Sequence, residues 1–202
     1  MKEVFQRIWE MSLVHQAFRD DDGHAHTVTD YAMKLLELID ANEDVVIPAA
    51  MLHDIGWSQL TEKERFLQFN PTRTLEEEKQ VRIKHQIEGV KLAKKILEDA
   101  DYPSEHVKNI LEIISQHDTR KGFLSEEDGL VRDADKLWRF SKLGVSQDLK
   151  RFRLTFQQNK ERLLKDMEHE DFFFLEASRE IALSELEERE KELCSIQAKE
   201  TP

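Results

Sequence analysis

The chain carries one cysteine, Cys194, in 202 residues, so no intramolecular disulfide framework holds it together and a reducing compartment suits it. Glycine and proline are scarce, at six and four, and alternating strand-like runs are hard to find. Sheet turns draw heavily on those two residues, so their shortage favours an all-α fold. No apolar run approaches the roughly 20 residues of a membrane-spanning helix. Met1 to Phe18 mixes charged and apolar residues without a continuous hydrophobic region. The expectation is a cytoplasmic protein with neither leader nor membrane contact. Basic residues are also in deficit, with 30 Lys and Arg against 42 Asp and Glu and a formal net charge of −12. A phosphate-neutralising face for nucleic acid is therefore not expected. A small anionic substrate stays compatible, because a bound metal ion can supply local positive potential.

The hydrophobic fraction is a modest 39%, but it is arranged with helical period, which marks a folded core. A first amphipathic helix is predicted over 3–18, with Val4, Ile8, Met11 and His15 along one side. Asp20-Asp21-Asp22-Gly23 breaks it and opens a second helix to about Ala41. On that helix His24, Val28, Tyr31, Leu35 and Leu38 share a stripe, whereas His26 lies about 200° further round. The period therefore buries His24 and leaves His26 more exposed. A third helix starts near Asp44 or Val45, with Pro48 close to its first turn. Residues 58–75 read as a short helix and a loop over a site, with Trp57 and Phe66 to Phe69 stacking on a base, lining a lid or packing in the core. A fourth helix runs from about Leu75 to Glu98, with His85 on its apolar stripe. Tyr102-Pro103-Ser104 opens a fifth that carries Val107, Ile110, Ile114 and His117 inward. Ser125-Glu126-Glu127-Asp128 resembles a capping box for a sixth, with Val131, Asp135 and Trp138 on one side. Two further helices are expected, over 148–167 and from Asp171 into the 190s, the last anchored by Phe172-Phe173-Phe174-Leu175.

The run Ala49-Ala50-Met51-Leu52-His53-Asp54-Ile55-Gly56-Trp57 sets an imidazole and a carboxylate side by side, after an apolar run and before a glycine able to end a helix. Singly, each polar residue has a plain explanation. A histidine on an apolar stripe is more often a satisfied core residue than a ligand. An adjacent His-Asp suits a helix C-terminus, and Asp135 has Lys136 and Arg139 beside it as partners. The conjunction changes the balance. His24, His53, Asp54, His85, His117 and Asp135 fall on inward faces of five helices, a costly polar core unless the groups share cations.

The order His24, His53-Asp54, Asp135 resembles the HD-domain superfamily of metal-dependent phosphohydrolases. His24 with Val28, Tyr31 and Ala32 is similar to the family's first-histidine helix. Ala49 to Gly56 is similar to its central helix, and Asp133-Ala134-Asp135-Lys136-Leu137 to its last motif. The likeness covers about residues 20–145. It implies an HD-type helical domain, expected over 1–147; the C-terminal helical pair over 148–202 lies outside the likeness and is expected to pack on the same domain. It implies one divalent ion held by His24, His53, Asp54 and Asp135, and it selects Asp135 where periodicity leaves Asp133 equally inward. His85 and His117 match histidines that some members use for a second ion, bridged by Asp54. Mn, Fe, Co, Ni, Zn or Mg suits such donors, one or two per chain.

The implied activity is hydrolysis of a phosphomonoester or phosphodiester, nucleotide-like by family analogy, through a metal-bound hydroxide. The catalytic candidates are Asp54, Asp118, Lys136 and Arg120. Arg82, Lys84, Lys121 and Arg139 are further cations near the ligands. Two alternatives stand beside it. One is a di-iron oxygenase similar to myo-inositol oxygenase, which uses the same six-ligand order. The other is a metal-stapled, non-catalytic interaction module. The Gly-Tyr-Pro motif of the cyclic-diguanylate phosphodiesterase branch is missing. A homodimer through an exposed Phe172–Leu175 cluster is a further expectation, and Cys194 is expected to be inert.

Overall fold

The computed structural model describes residues 2–200, and side chains through residue 193. Cys194 thus lies outside the described side chains. All regular structure in the described residues is helical: α1 (Glu3–Ser12), α2 (His24–Leu36), α3 (Glu43–Leu52), α4 (Glu62–Arg65), α5 (Leu75–Asp99), α6 (Ser104–Gln116), α7 (Glu126–Trp138), α8 (Lys142–Phe152), α9 (Phe156–Asp166) and α10 (Glu176–Glu200). Short 3-10 turns lie at Leu13–His15, Ile55–Gln59 and Leu67–Phe69. Among the described residues, no helix is long and apolar enough to cross a membrane.

The helix α3 is the centre of the bundle. Every residue from Val45 to Leu52 is buried, and α1, α2, α6 and α7 pack around it. An amphipathic surface helix hides one stripe; α3 is apolar all round because it has neighbours on every side. Asn42 caps it by accepting the Asp44 N–H. Long α5 lies against α6 and the 3-10 turn at 55–59. Its Thr74 and Glu77 form a reciprocal capping box.

Several expectations need correction. The first helix stops at Ser12, and its most buried side chains are Phe5, Ile8 and Ser12. The second stops at Leu36, leaving Leu38 exposed beyond it. At Ser125 the capping is only half reciprocal, because the Asp128 carboxylate takes the N–H of Leu124. The helix expected over 148–167 is two helices. Arg153 sits at φ +53, where its N–H and that of Leu154 both turn back to the Leu149 carbonyl, and Thr155 with Gln158 starts a new capping box. The C-terminal part is therefore α8, α9 and α10 rather than a pair, and α8 runs through position 147. Leu163, Met167, Phe172, Phe173, Ala182 and Leu186 join the same buried cluster as α3. Phe172 and Phe173 are buried against Phe140 rather than exposed, and half-buried Phe174 packs on Phe123.

Candidate metal centre

Both helix ends beside the core deliver a His-Asp pair. His53 follows the last residue of α3, and its Nδ1 lies 2.8 Å from the Ala50 carbonyl. His117 follows α6, with Nδ1 2.9 Å from the Ile114 carbonyl. A carbonyl only accepts, so Nδ1 carries the proton in each ring and Nε2 faces inward with its lone pair. Gly23, at φ +83, turns the chain into α2 and sets His24 at that helix's first residue. Helix α5 brings His85, and this needs Gly56. A Cβ there would lie 1.9 Å from the His85 carbonyl oxygen and 2.4 Å from the Gly89 nitrogen. Gly56 thus permits close approach to α5 and does not end α3 with a left-handed turn. Trp57 stacks on the His85 ring at 4.0 Å and donates from Nε1 to Asp54 Oδ1 at 3.1 Å. It orients a ligand rather than waiting for a base.

Two donor clusters result. His24 Nε2 and His53 Nε2 are 3.1 Å apart, with Asp135 Oδ1 at 3.4 and 3.6 Å from them. His85 Nε2 and His117 Nε2 are 3.4 Å apart. Asp54 joins the clusters. Its Oδ2 lies 3.4 Å from His24 and 3.7 Å from His53, while its Oδ1 lies 3.5 Å from His85 and 3.3 Å from His117. Asp118 Oδ2 faces the second cluster at 3.6 Å from His85. Each cluster brings at least three ligand atoms together.

The residues fit divalent cations. Donors bound at roughly 2.1 Å to one ion stand about 3.0–3.4 Å apart at tetrahedral to octahedral angles, close to the spacings here. Facing imidazole lone pairs repel unless a proton or cation sits between them. The electrostatics agree. Burial opposes protonation of His53, yet the Asp54 and Asp135 carboxylates outweigh it and hold its pKa up to about 10. Burial likewise disfavours the charged form of Asp54. The His53 charge and hydrogen bonds from His117, His24 and His85 nonetheless keep it well below the usual carboxylate range. Asp118 is lowered against its own burial by Arg82, which lies 3.0 Å away.

All six expected ligands are thus brought together, and Asp118 with them. His26 is exposed and pairs with Asp30 at 3.0 Å. Asp133, the alternative to Asp135, is buried elsewhere and accepts the backbone N–H groups of Phe174 and Leu175 at 2.7 and 2.9 Å. It anchors the entry to α10. Asp135 faces imidazoles rather than Lys136 or Arg139, and Arg139 pairs with Asp166 at 2.8 Å.

The centre opens into a cavity of about 550 Å³. Its walls hold eight Arg and Lys side chains on a chain of net charge −12. Lys136, Arg82 and Arg139 are among them, as expected; Arg120, Lys84 and Lys121 are not. Arg120, one of the expected catalytic residues, does not line the cavity; its guanidinium reaches back to the Glu112 carbonyl at 3.5 Å. Lys84 instead pairs with Glu64 at 2.6 Å. Lys136 Nζ donates to the Phe172 carbonyl, and burial brings its pKa down to about 8. The sequence reading missed Arg19, Arg73, Arg132, Arg151 and Arg162. None lies near a ligand in sequence in a way that marks it, except Arg132, one residue from the Asp133–Leu137 motif. Of these, Arg73 pairs with Glu78 at 2.7 Å, Arg132 with Asp128 at 3.6 Å, and Arg162 with Asp148.

A family model for the HD domain matches residues 22–139, more than half of the chain. A comparison with curated proteins finds no match. Among solved structures, a protein from an uncultured Thermotogales bacterium, described as a predicted HD superfamily hydrolase, is similar with a TM-score of 0.57 at 16% identity. The alignment covers 98% of this chain and 91% of that one. At that identity the likeness speaks for the fold, and the matched span contains His24, His53, Asp54, His85, His117 and Asp135. The chain belongs to the HD-domain family.

Proposed function

We propose that the protein is a metal-dependent phosphohydrolase that cleaves a phosphomonoester or phosphodiester bond in a small molecule, nucleotides included, with two divalent ions per chain. The observation that carries this reading is Asp54, whose two oxygens divide between two histidine clusters at the floor of a cation-walled cavity. His24, His53, Asp135 and Asp54 Oδ2 would hold one ion; His85, His117, Asp54 Oδ1 and Asp118 would hold the other. Bound ions supply hydroxide near neutral pH and neutralise charge on phosphoryl oxygens.

The chain's own residues do the rest. In hydrolysis the water oxygen forms the new P–O bond, while the leaving oxygen departs with its electron pair and takes up a proton. Asp118 lines the cavity, ionised beside Arg82, and is placed to orient the attacking water by accepting its hydrogen bond, while the proton the water gives up passes to solvent. Arg82 fixes that carboxylate. Lys136 has one N–H beyond those donated to the 171 and 172 carbonyls, and it is available to a phosphoryl oxygen. The oxygenase alternative uses the same six donors, but oxygen activation gives no reason for so many cations around the cavity.

The test is phosphate release from a panel of phosphomonoesters, phosphodiesters and nucleotides after reconstitution with each candidate metal. Turnover that Asp54→Ala abolishes supports the proposal. Two irons per chain with substrate-dependent oxygen uptake, and no phosphate release with any metal, would replace it with the oxygenase.

A further inference from the structure

We infer that the cavity is built for a substrate bearing at least two phosphoryl groups, one at the metal centre and the second held by Arg19 and Arg151 beside Phe69. The inference rests on the phosphohydrolase proposed above and narrows its substrate class.

The cavity's cations divide into two kinds. Five of the eight already have a carboxylate partner within ion-pair distance away from the metal cluster, or in Asp118. Lys136, Arg19 and Arg151 do not; Lys136 donates to the Asp171 and Phe172 carbonyls beside the metal centre, which leaves the two arginines as a separate pair. Among the described residues the Arg19 guanidinium donates no hydrogen bond, and its nearest carboxylate oxygen is Asp54 Oδ2 at 3.8 Å, which the metal centre claims. Arg151 donates to the backbone carbonyls of Arg19 and Asp20 at 2.6 and 3.0 Å and pairs with no carboxylate. Asp148, which lines the same cavity, is taken by Arg162. The Nε of both arginines is buried without a partner. Two like charges held in a partly buried wall are costly unless an anion joins them. Two guanidinium charges match a dianionic phosphoryl group better than a single carboxylate, and each offers a planar fork to its oxygens.

The aromatic walls point the same way. Four aromatic side chains line the cavity, and each already has a cation over its ring. Arg19 and Arg151 lie 5.7 and 4.9 Å from the Phe69 centroid, and Arg151 lies 5.8 Å from that of Trp138. Arg162 covers Phe152 at 4.9 Å and Lys136 covers Phe172 at 5.1 Å. A nucleobase would have to displace one of these cations to stack. A second anion leaves all of them in place. The cavity of about 550 Å³ also exceeds what a lone phosphate fills.

The experiment is calorimetric titration of the metal-loaded protein with methylphosphonate, phosphonoacetate and methylenebisphosphonate, with metal content checked before and after. The bisphosphonate should bind at least tenfold tighter than either other ligand. In Arg19→Gln that ratio should collapse to threefold or less. Arg19 donates no side-chain hydrogen bond within the described structure, but its guanidinium lies 4.2 Å over the Trp57 ring, so folding is checked by circular dichroism for this variant and for the second, Arg151→Gln. Equal binding of all three ligands, or a preference that survives both substitutions, overturns the inference. Phosphonoacetate matching the bisphosphonate overturns the assignment of a second phosphoryl group. Because these readouts are affinities, they stand apart from the hydrolysis test. Phosphate release without a bisphosphonate preference sinks this inference alone; no phosphate release with any metal sinks the hydrolase.

Discussion

The two His-Asp steps, His53-Asp54 and His117-Asp118, begin alike and end in different work. Each histidine caps a helix and bonds the carbonyl three residues back, and each aspartate follows into the same centre. Asp54 emerges between four imidazoles and divides its oxygens among them. Asp118 meets two imidazoles from one side, and its other oxygen is held by Arg82. The local chemistry is shared; the difference comes from what packs opposite. α3 is enclosed by helices on all sides, so its end opens into the middle of the bundle, while α6 ends at the cavity wall. One dipeptide therefore bridges and the other shapes the space in front of the bridge.

The substitution that breaks this comparison most sharply is Asp54→Ala. It should empty both clusters and reduce phosphate release by about a thousandfold or more, since every interaction it makes serves the centre. Element analysis and a phosphate assay check it. Asp118→Asn should retain metal at the His24 cluster and lower metal affinity or turnover by about 10–100-fold. Equal losses in the two variants would erase the distinction between bridge and flank.

The proton balance of the metal-free protein gives a third test. His53 is raised from its ordinary 6.5 to about 10, so the fold holds an extra proton between those values. That proton stabilises the metal-free fold fully below pH 6.5, and the contribution is lost as pH rises through about 10. A metal competes for the same nitrogen. Metal affinity should therefore rise with pH by about tenfold per unit in this window, with about one proton released on binding. Calorimetry in buffers of different ionisation enthalpy reads that release directly.

Smaller effects separate the centre from its supports. Asp133→Ala removes the acceptor of two buried N–H groups at the entry to α10 and should cost about 2 kcal/mol, or roughly 4–8 °C in Tm, with metal content intact. His26→Ala, on the exposed face of α2, should change stability by no more than about 0.5 kcal/mol and leave metal bound. Metal loss on His26→Ala, but not on His24→Ala, would reverse the assignment of the first ligand.

The ligands were legible because an apolar stripe that contains a histidine is informative about direction. His24 against His26 is decided by period alone, and the structure agrees. Asp133 against Asp135 is not, since both face inward; the partner of Asp133 lies some 40 residues away, beyond the reach of periodicity. The second anion-holding wall was illegible for the same reason. Arg19 comes from a loop before α2 and Arg151 from α8, and only packing makes them neighbours. By contrast, the break between α8 and α9 had a readable sign in Thr155 and Gln158, a capping pair in the middle of the expected helix. The role of Trp57 needed the close approach of Gly56 to α5, which a sequence shows only as a glycine.

The most direct test of the central claim, that Asp54 joins two metal sites, is metal content per chain in the natural protein and in His85→Ala. The account predicts two ions falling to one, with the remaining ion held by the His24 cluster. A single ion in both proteins, or none after reconstitution with any candidate metal, would contradict it.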